Sequence, residues 1–239
     1  MRHFWRTRTR QQSRQESKSG QRDYGSRGAV TGGKQLDGFV ELVQELLLEA
    51  GLTDGEIHRQ RVTLPGYFRP TKAWDLLVVA DGNLLAILEF KSHVGPSFGN
   101  NFNNRTEEAM GSATDLWTAF REGAFNDSSK PWLGYFMLLE HAPGSTSPVF
   151  TREPHFDVFP EFKDSSYAKR YELFCLRLVR ERLYDGACLL VSERSKGRRG
   201  EFSEPSSELC FSRLAAGLMG HVSGYVKMRR NGQSTRGPD

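Results

Sequence analysis

Apolar positions in this chain fall into blocks whose spacing names their elements. Phe39, Val43, Leu46, Leu47 and Ala50 recur at helical intervals, which predicts a helix from Asp37, placed as N-cap, to a stop at Gly51. Residues 74–80 and 84–91 are apolar on both faces, the pattern of strands covered on each side. Asp81-Gly82-Asn83 between them is hairpin chemistry, because Gly and Asn tolerate positive φ. A loop is predicted over 92–104, then a helix over 105–121 with Ala109, Ala113, Leu116, Trp117 and Phe120 as its apolar stripe. A third buried strand is expected over 132–140. A helix over 167–184, a strand over 187–192, a basic loop over 194–200 and a helix over 207–225 complete the pattern. The order helix, strand, strand, helix, strand, helix, strand predicts an α/β sandwich in which helices flank a mixed central β-sheet.

Composition adds less. The 239 residues can bury a substantial core, and a net charge of +4 with pI near 9.0 hints mildly at an anionic partner. Residues 1–30 carry eight Lys or Arg against Glu16 and Asp23, with Phe4, Trp5 and Tyr24 as their few large apolar side chains. Two readings stay open for them: a disordered arm, or a basic segment lying on DNA phosphates. The expected organisation is this N-terminal segment, a domain over 31–230 and a flexible tail over 231–239. Cys175, Cys188 and Cys210 form no Cys-x-x-Cys pair, which favours reduced thiols in a cytosolic protein over a zinc site. No stretch approaches the ~20 apolar residues of a membrane span, and no apolar run follows Arg2, Arg6, Arg8 and Arg10 as a secretory signal requires. The expectation is a cytoplasmic protein with no membrane partner.

The candidate chemistry sits on the hairpin. Glu89-Phe90-Lys91 is an acid-x-Lys tripeptide, as are Glu16-Ser17-Lys18 and Glu161-Phe162-Lys163, so the tripeptide alone selects nothing. Context does: Glu16 lies in a polar segment, Glu161 follows Pro160, and Glu89 and Lys91 alone end an apolar strand whose partner begins near Asp75. A two-residue turn would set Asp75 opposite Leu88. A three-residue turn, or an equivalent bulge, sets Asp75 opposite Glu89, with Leu77, Val79, Leu85, Ile87 and Lys91 on their face. Paired carboxylates there would supply hard oxygen ligands for Mg²⁺, and Lys91 would hold or help deprotonate an attacking water. A buried acid–lysine ion pair that merely closes a sheet edge has the same spacing.

Asp75 followed by Glu89-x-Lys91 on a hairpin after a helix resembles the PD-(D/E)xK nuclease superfamily, with Trp74-Asp75 in place of Pro-Asp. More narrowly, LPGYFRPTKAWDLLVV from Leu64, EFKSHVGPSFGNNFNNRTEEAMGSATDLWTAFREGAF from Glu89 and RGAVTGGKQLDGF from Arg27 resemble the XhoI family of type II restriction endonucleases. The likeness is densest over 27–125. It implies a restriction-endonuclease-like fold and hydrolysis of both strands of duplex DNA at the palindrome 5′-CTCGAG-3′, leaving four-base 5′ overhangs. It further implies Mg²⁺, a homodimer in bacterial cytoplasm, and a cognate DNA methyltransferase not held in a stable complex. Asp75 and Glu89 would be metal ligands and Lys91 the catalytic lysine.

Asn100, Asn101, Asn103, Asn104 and Arg105 follow the catalytic strand and are candidate DNA contacts, since Asn pairs with adenine and Arg with guanine. Turn chemistry alone would also explain four Asn. Lys196, Arg198 and Arg199 are candidate phosphate contacts, and His93 is expected as an exposed loop side chain. Two rival functions remain: a repair or recombination nuclease of the same superfamily, and an inactive DNA-binding relative.

Overall fold

Two strands joined by a tight turn organise the molecule, a computed structural model that describes residues 1–16, 33–60 and 62–234. Strand β4 (Leu76–Ala80) runs antiparallel to β5 (Asn83–His93). Asp81 and Gly82 both take positive φ (51° and 76°), the mark of a two-residue primed turn whose twist matches its strands. Near the turn Ala80 pairs with Asn83 and Val79 with Leu84. The register then shifts by one, so that Val78 pairs with Ala86, Leu77 with Ile87 and Leu76 with Leu88. The extra residue is Leu85, a β-bulge. The bulge alternative of the sequence reading holds, and the three-residue turn does not.

Around this hairpin lies a five-stranded mixed sheet in the order β1-β4-β5-β6-β7. β1 (Ile57–His58) is antiparallel to β4, while β6 (Trp132–Glu140) and β7 (Gly186–Ser192) run parallel to β5. β2 (Thr63–Pro65) and β3 (Thr71–Ala73) form a separate two-stranded ribbon. The helices are α1 (Arg2–Glu16), α2 (Asp37–Glu49), α3 (Phe98–Arg121), α4 (Pro143–Thr146), α5 (Tyr167–Arg180), α6 (Arg194–Gly197) and α7 (Phe211–Ser234).

Alternation along the strands divides the core between two faces. Leu76, Val78, Leu88, Phe136 and Leu190 pack with Phe4, Trp5, Phe39, Val43, Leu47, Leu218 and Val222 from α1, α2 and α7. Leu77, Ile87, Tyr135, Met137 and Leu189 pack with Ala113, Leu116, Tyr171 and Phe174 from α3 and α5. Leu85 and Ala86, adjacent in sequence, both join the first face, as a bulge requires. Leu85 therefore leaves the face expected for it.

Three expectations change. Residues 2–16, read as part of a basic segment outside the domain, form a helix with Phe4 and Trp5 buried; residues 17–32 lie outside the described part. The second core helix begins at Phe98, not near residue 105, because Phe98 is buried against His93 and Phe102 packs on Tyr171 one turn later. The last helix runs past residue 225 to Ser234, and the final residues of the expected tail, 235–239, are not described. Among the described residues no helix is long and apolar enough to cross a membrane.

Candidate active site

The register shift at Leu85 leaves Asp75 beside the stretch of β5 from Leu88 to Phe90 that contains Glu89. Asp75 directly precedes the Leu76–Leu88 pair and holds to β5 through two contacts. Its amide N–H donates to the Leu88 carbonyl (3.3 Å), and its Oδ2 accepts the N–H of Phe90 (2.7 Å).

Glu89 is 1% exposed and carries a dense set of partners. Its Oε1 receives the ammonium groups of Lys91 and Lys72, each at 2.9 Å. The Tyr184 hydroxyl lies 3.2 Å from both Glu89 Oε2 and the Ala109 carbonyl oxygen, so one proton serves two acceptors. Lys72 also sits 4.3 Å above the Trp74 ring, an attraction between cation and π-face that fixes where its ammonium points. Burial works to raise the Glu89 pKa, yet Lys91 and Lys72 outweigh it and hold the carboxyl below its usual range. Asp75 goes the other way. It keeps exposed surface, but the protein around its carboxyl strips away enough water to raise its pKa; the Phe90 N–H and Lys91 oppose this and Glu89 adds to it.

Two acids and two lysines make the site neutral in formal charge without any bound ion. The oxygens suit a hard divalent cation, and two ammonium groups already stand on Glu89 where such a cation would be attracted. Among the described residues no cluster of three or more His, Cys, Asp and Glu side chains could hold a metal, so water and substrate oxygens would complete its shell. Asp75 and Glu89 are the residues whose oxygens would hold such a divalent cation.

Lys72 and Tyr184 have no counterpart in the sequence reading. Tyr184 comes from just beyond α5, where nothing local marks it. Lys72 lies three residues before Asp75, a basic residue on the approach to the acid, and that proximity was its one available signal.

The remaining candidates separate. Asn100, Asn103 and Asn104 are exposed on one side of the first turns of α3, where i, i+3 and i+4 align. Asn101 and Arg105 are half-buried, and Arg105 pairs with Glu108 at 2.7 Å. Glu107 and Glu108 lie in the third turn of α3 and are exposed. On the polar side of α2, Glu41 pairs with Arg59 and Gln44 donates to Asp54. Lys196 pairs with Glu193, Arg198 donates to Thr9, and the Arg199 carbonyl accepts from Arg2. That loop is folded onto α1 and includes the short helix α6. The decoy Glu161 sits in a surface turn and pairs with Arg177.

His93 corrects its expectation outright. It is 2% exposed, with Nδ1 2.7 Å from the Tyr171 hydroxyl and Nε2 3.3 Å from the Ser97 carbonyl. A carbonyl only accepts, so Nε2 carries the proton and Nδ1 accepts from Tyr171. Burial lowers its pKa to about 4; the Ser97 carbonyl opposes this, and Arg105 on α3 reinforces it. The unfolded chain takes up this proton near pH 6.5, before the folded one does. Stability is thus full above pH 6.5 and is lost as pH falls towards 4, by about 3 kcal/mol in all. Urea unfolding of wild type and His93→Gln at pH 7 and pH 4.5 checks this: the variant is expected to be weaker at pH 7 but to lose less on acidification. Equal losses in both proteins would refute it.

A mixed sheet flanked by helices, with an acid on each arm of its central hairpin and a lysine beside them, defines a restriction-endonuclease-like α/β protein. Comparison with known proteins carries this further. Residues 14–204 match the family described as "Restriction endonuclease XhoI". The chain is 55% identical over 208 residues to the type II restriction enzyme BstVI of Geobacillus stearothermophilus, covering 84% of this chain and 93% of that one. It is 46% identical over 179 residues to the type II restriction enzyme XhoI of Xanthomonas vasicola, covering 74% and 71%. The type II restriction enzyme AbrI of Azospirillum brasilense is 54% identical over 155 residues, covering 64% and 69%. No solved structure matches the chain. The protein belongs to the XhoI family of restriction endonucleases and is a type II restriction enzyme, a site-specific deoxyribonuclease acting on DNA.

Proposed function

We propose that this enzyme hydrolyses one phosphodiester bond in each strand of duplex DNA at 5′-CTCGAG-3′, leaving four-base 5′ overhangs, with Mg²⁺ held by Asp75 and Glu89. What supports the reading is the bulged hairpin that holds Asp75 against the Leu88–Phe90 stretch of β5, with Lys91 on the Glu89 carboxylate. When bound, the metal lowers the pKa of water and offsets charge on the transition state. Lys91 orients the attacking water from the Glu89 side and offers its ammonium to the oxygen that gains charge. Phe90 N–H fixes the Asp75 carboxylate, so the rotamer needed for catalysis is set before DNA arrives. Asn100, Asn101, Asn103, Asn104 and Arg105 form the DNA-binding start of α3, the exposed asparagines facing the groove. The working form is a homodimer in bacterial cytoplasm, one site per strand of the palindrome, and a separate methyltransferase protects the host's own sites.

The test is digestion of plasmid DNA with Mg²⁺ followed by sequencing of the ends, with sedimentation for the oligomeric state. Discrete fragments ending in 5′-TCGA support the reading. Uniform ends at another sequence would overturn the assigned site, ragged degradation would favour a repair nuclease, and retarded but uncut DNA an inactive relative.

A further inference from the structure

The ribbon of β2 and β3 carries a turn over residues 66–70, GYFRP, and two large rings stand on it. Tyr67 is 55% exposed and Phe68 71% exposed, with ring centroids 5.2 Å apart in an edge-to-face arrangement. Exposed rings on a loose loop would need no explanation. These are held from beneath. Asp115 of α3 is buried, and its Oδ1 accepts the backbone N–H groups of both Tyr67 and Phe68 at 2.7 Å. Its Oδ2 takes the Arg69 guanidinium at 2.7 Å, and Arg69 reaches Ser112 at 3.2 Å. Gly66 closes the seat: a Cβ there would lie 2.5 Å from Asp115 Oδ2 and 2.6 Å from the Arg69 carbonyl oxygen. A carboxylate taken out of water is costly unless its bonds are satisfied. Here those bonds fix the backbone of the two residues whose rings stay in solvent.

The same ribbon leads into the active site. Lys72 of β3 lies four residues beyond Phe68 and contacts Glu89. Four extended residues span at most about 13 Å, at about 3.3 Å each. That is about four base-pair steps at roughly 3.4 Å per step. The backbone that carries the rings therefore lies within about 13 Å of that of Lys72, whose ammonium touches Glu89 in the active site.

Position selects the partner. Residues 57–74 contain Arg59, Arg61, Arg69 and Lys72 and no Asp or Glu. The other exposed aromatic group, Phe150, Phe156 and Phe159, shares its segment with Glu153, Asp157, Glu161 and Asp164 against Arg152 and Lys163. At the ribbon the cations lie on the way to the active site, Arg69 on Asp115 and Lys72 on Glu89, whereas around Phe150 the acids are met by Lys163 and Arg177.

We propose that Tyr67 and Phe68 form a rigid aromatic wedge that enters a groove of the substrate duplex and packs on base faces at a partly unstacked step near the scissile bond. The proposal rests on the DNA-cleaving reading of Asp75, Glu89 and Lys91, because contact with Glu89 sets the distance. Every base offers a π-face, so the wedge adds affinity at any sequence and favours steps that unstack cheaply. A pre-fixed backbone spares the ordering cost of a flexible loop.

The experiment uses the full chain with Ca²⁺ and a duplex carrying CTCGAG, in which 2-aminopurine replaces successive bases across and beside the site. Wild type is expected to raise the fluorescence at one step, reporting unstacking. Tyr67→Ala and Phe68→Ala should each weaken binding about 10-fold or more, as loss of base–ring stacking does. The double variant should also lose the fluorescence signal. Asp115→Asn, which loosens the seat but leaves both rings, should lose part of each. Unfolding curves confirm that the ring variants fold, and both rings are exposed enough to allow it. Wild-type affinity and signal in the double variant would overturn the proposal. So would a change of oligomeric state in its DNA-free form, which would assign the rings to a protein interface. A wild type that gives the ring-dependent signal but cuts no DNA in Mg²⁺ would support the wedge while refuting the cleavage reading.

Discussion

Replacing Glu89 with glutamine is expected to reduce the DNA cleavage rate by at least about 10³-fold while leaving duplex binding in Ca²⁺ within a few-fold of wild type. The size follows from what the carboxylate does. It is one of only two proposed metal ligands, and loss even of a single fixed group that stabilises a transition state costs about 10²–10³ in rate. The amide keeps the shape and the contact with Tyr184 but cannot neutralise two ammonium groups. Lys72 and Lys91 then face each other without their shared anion. Removing one partner of a buried ion pair costs about 3–5 kcal/mol, so the same variant should be measurably less stable without metal. Lys72→Met in the Glu89→Gln background should recover part of that loss, because it removes one unpaired charge. Single-turnover cleavage, fluorescence anisotropy and urea unfolding read the three quantities. Cleavage within ten-fold of wild type would refute the assignment of Glu89. Unchanged stability would refute the charge balance.

That Asp75, Glu89 and Lys91 gather at one end of the hairpin is legible in the sequence, because they bound two apolar strands joined by a turn. How the chain achieves it is not legible. Leu84 and Leu85 are equally apolar and both end buried, so nothing local says which one the bulge ejects from the register. The start of α3 is hidden for a different reason. Ser97 to Asn104 is rich in turn-forming residues, yet Phe98 and Phe102 are anchored by His93, Tyr167 and Tyr171, and that packing overrides local preference. His93 looks like a polar residue leaving a strand until its partner Tyr171, 78 positions away, is in place. Lys72 escapes notice because strands of three residues show too little alternation to read. The parts that sequence conceals are those fixed by contacts between distant segments.

Such a contact also makes α1 part of the domain. Trp5→Ala is expected to destabilise the protein by about 3–5 kcal/mol, the usual range for removing a buried large aromatic. Trp5 is fully buried, packs edge-to-face on Phe4 with centroids 5.1 Å apart, and donates its indole N–H to the Ser192 hydroxyl at 3.0 Å. Ser192 ends β7, so one side chain ties the N-terminal helix to the parallel edge of the sheet. The family match spans residues 14–204, which leaves Phe4, Trp5 and all of α7 outside it. Yet these cover the sheet face opposite the candidate site, beside Leu76, Val78 and Leu88 on the very strands whose other face carries that site. Against a typical total of about 5–15 kcal/mol the loss is large. It should lower the midpoint of thermal unfolding by roughly 6–20 °C for a chain of this size. Exposed arginines of the same helix provide the contrast: Arg6→Ala and Arg10→Ala should stay within about 0.5 kcal/mol of wild type, as surface changes do. If Trp5→Ala unfolded at the wild-type midpoint, the helix would be an appendage and the sheet would need no cover from it. If it falls as expected while the cleavage rate at low temperature is kept, α1 supports the hairpin that presents Asp75 and Glu89 without itself touching the chemistry.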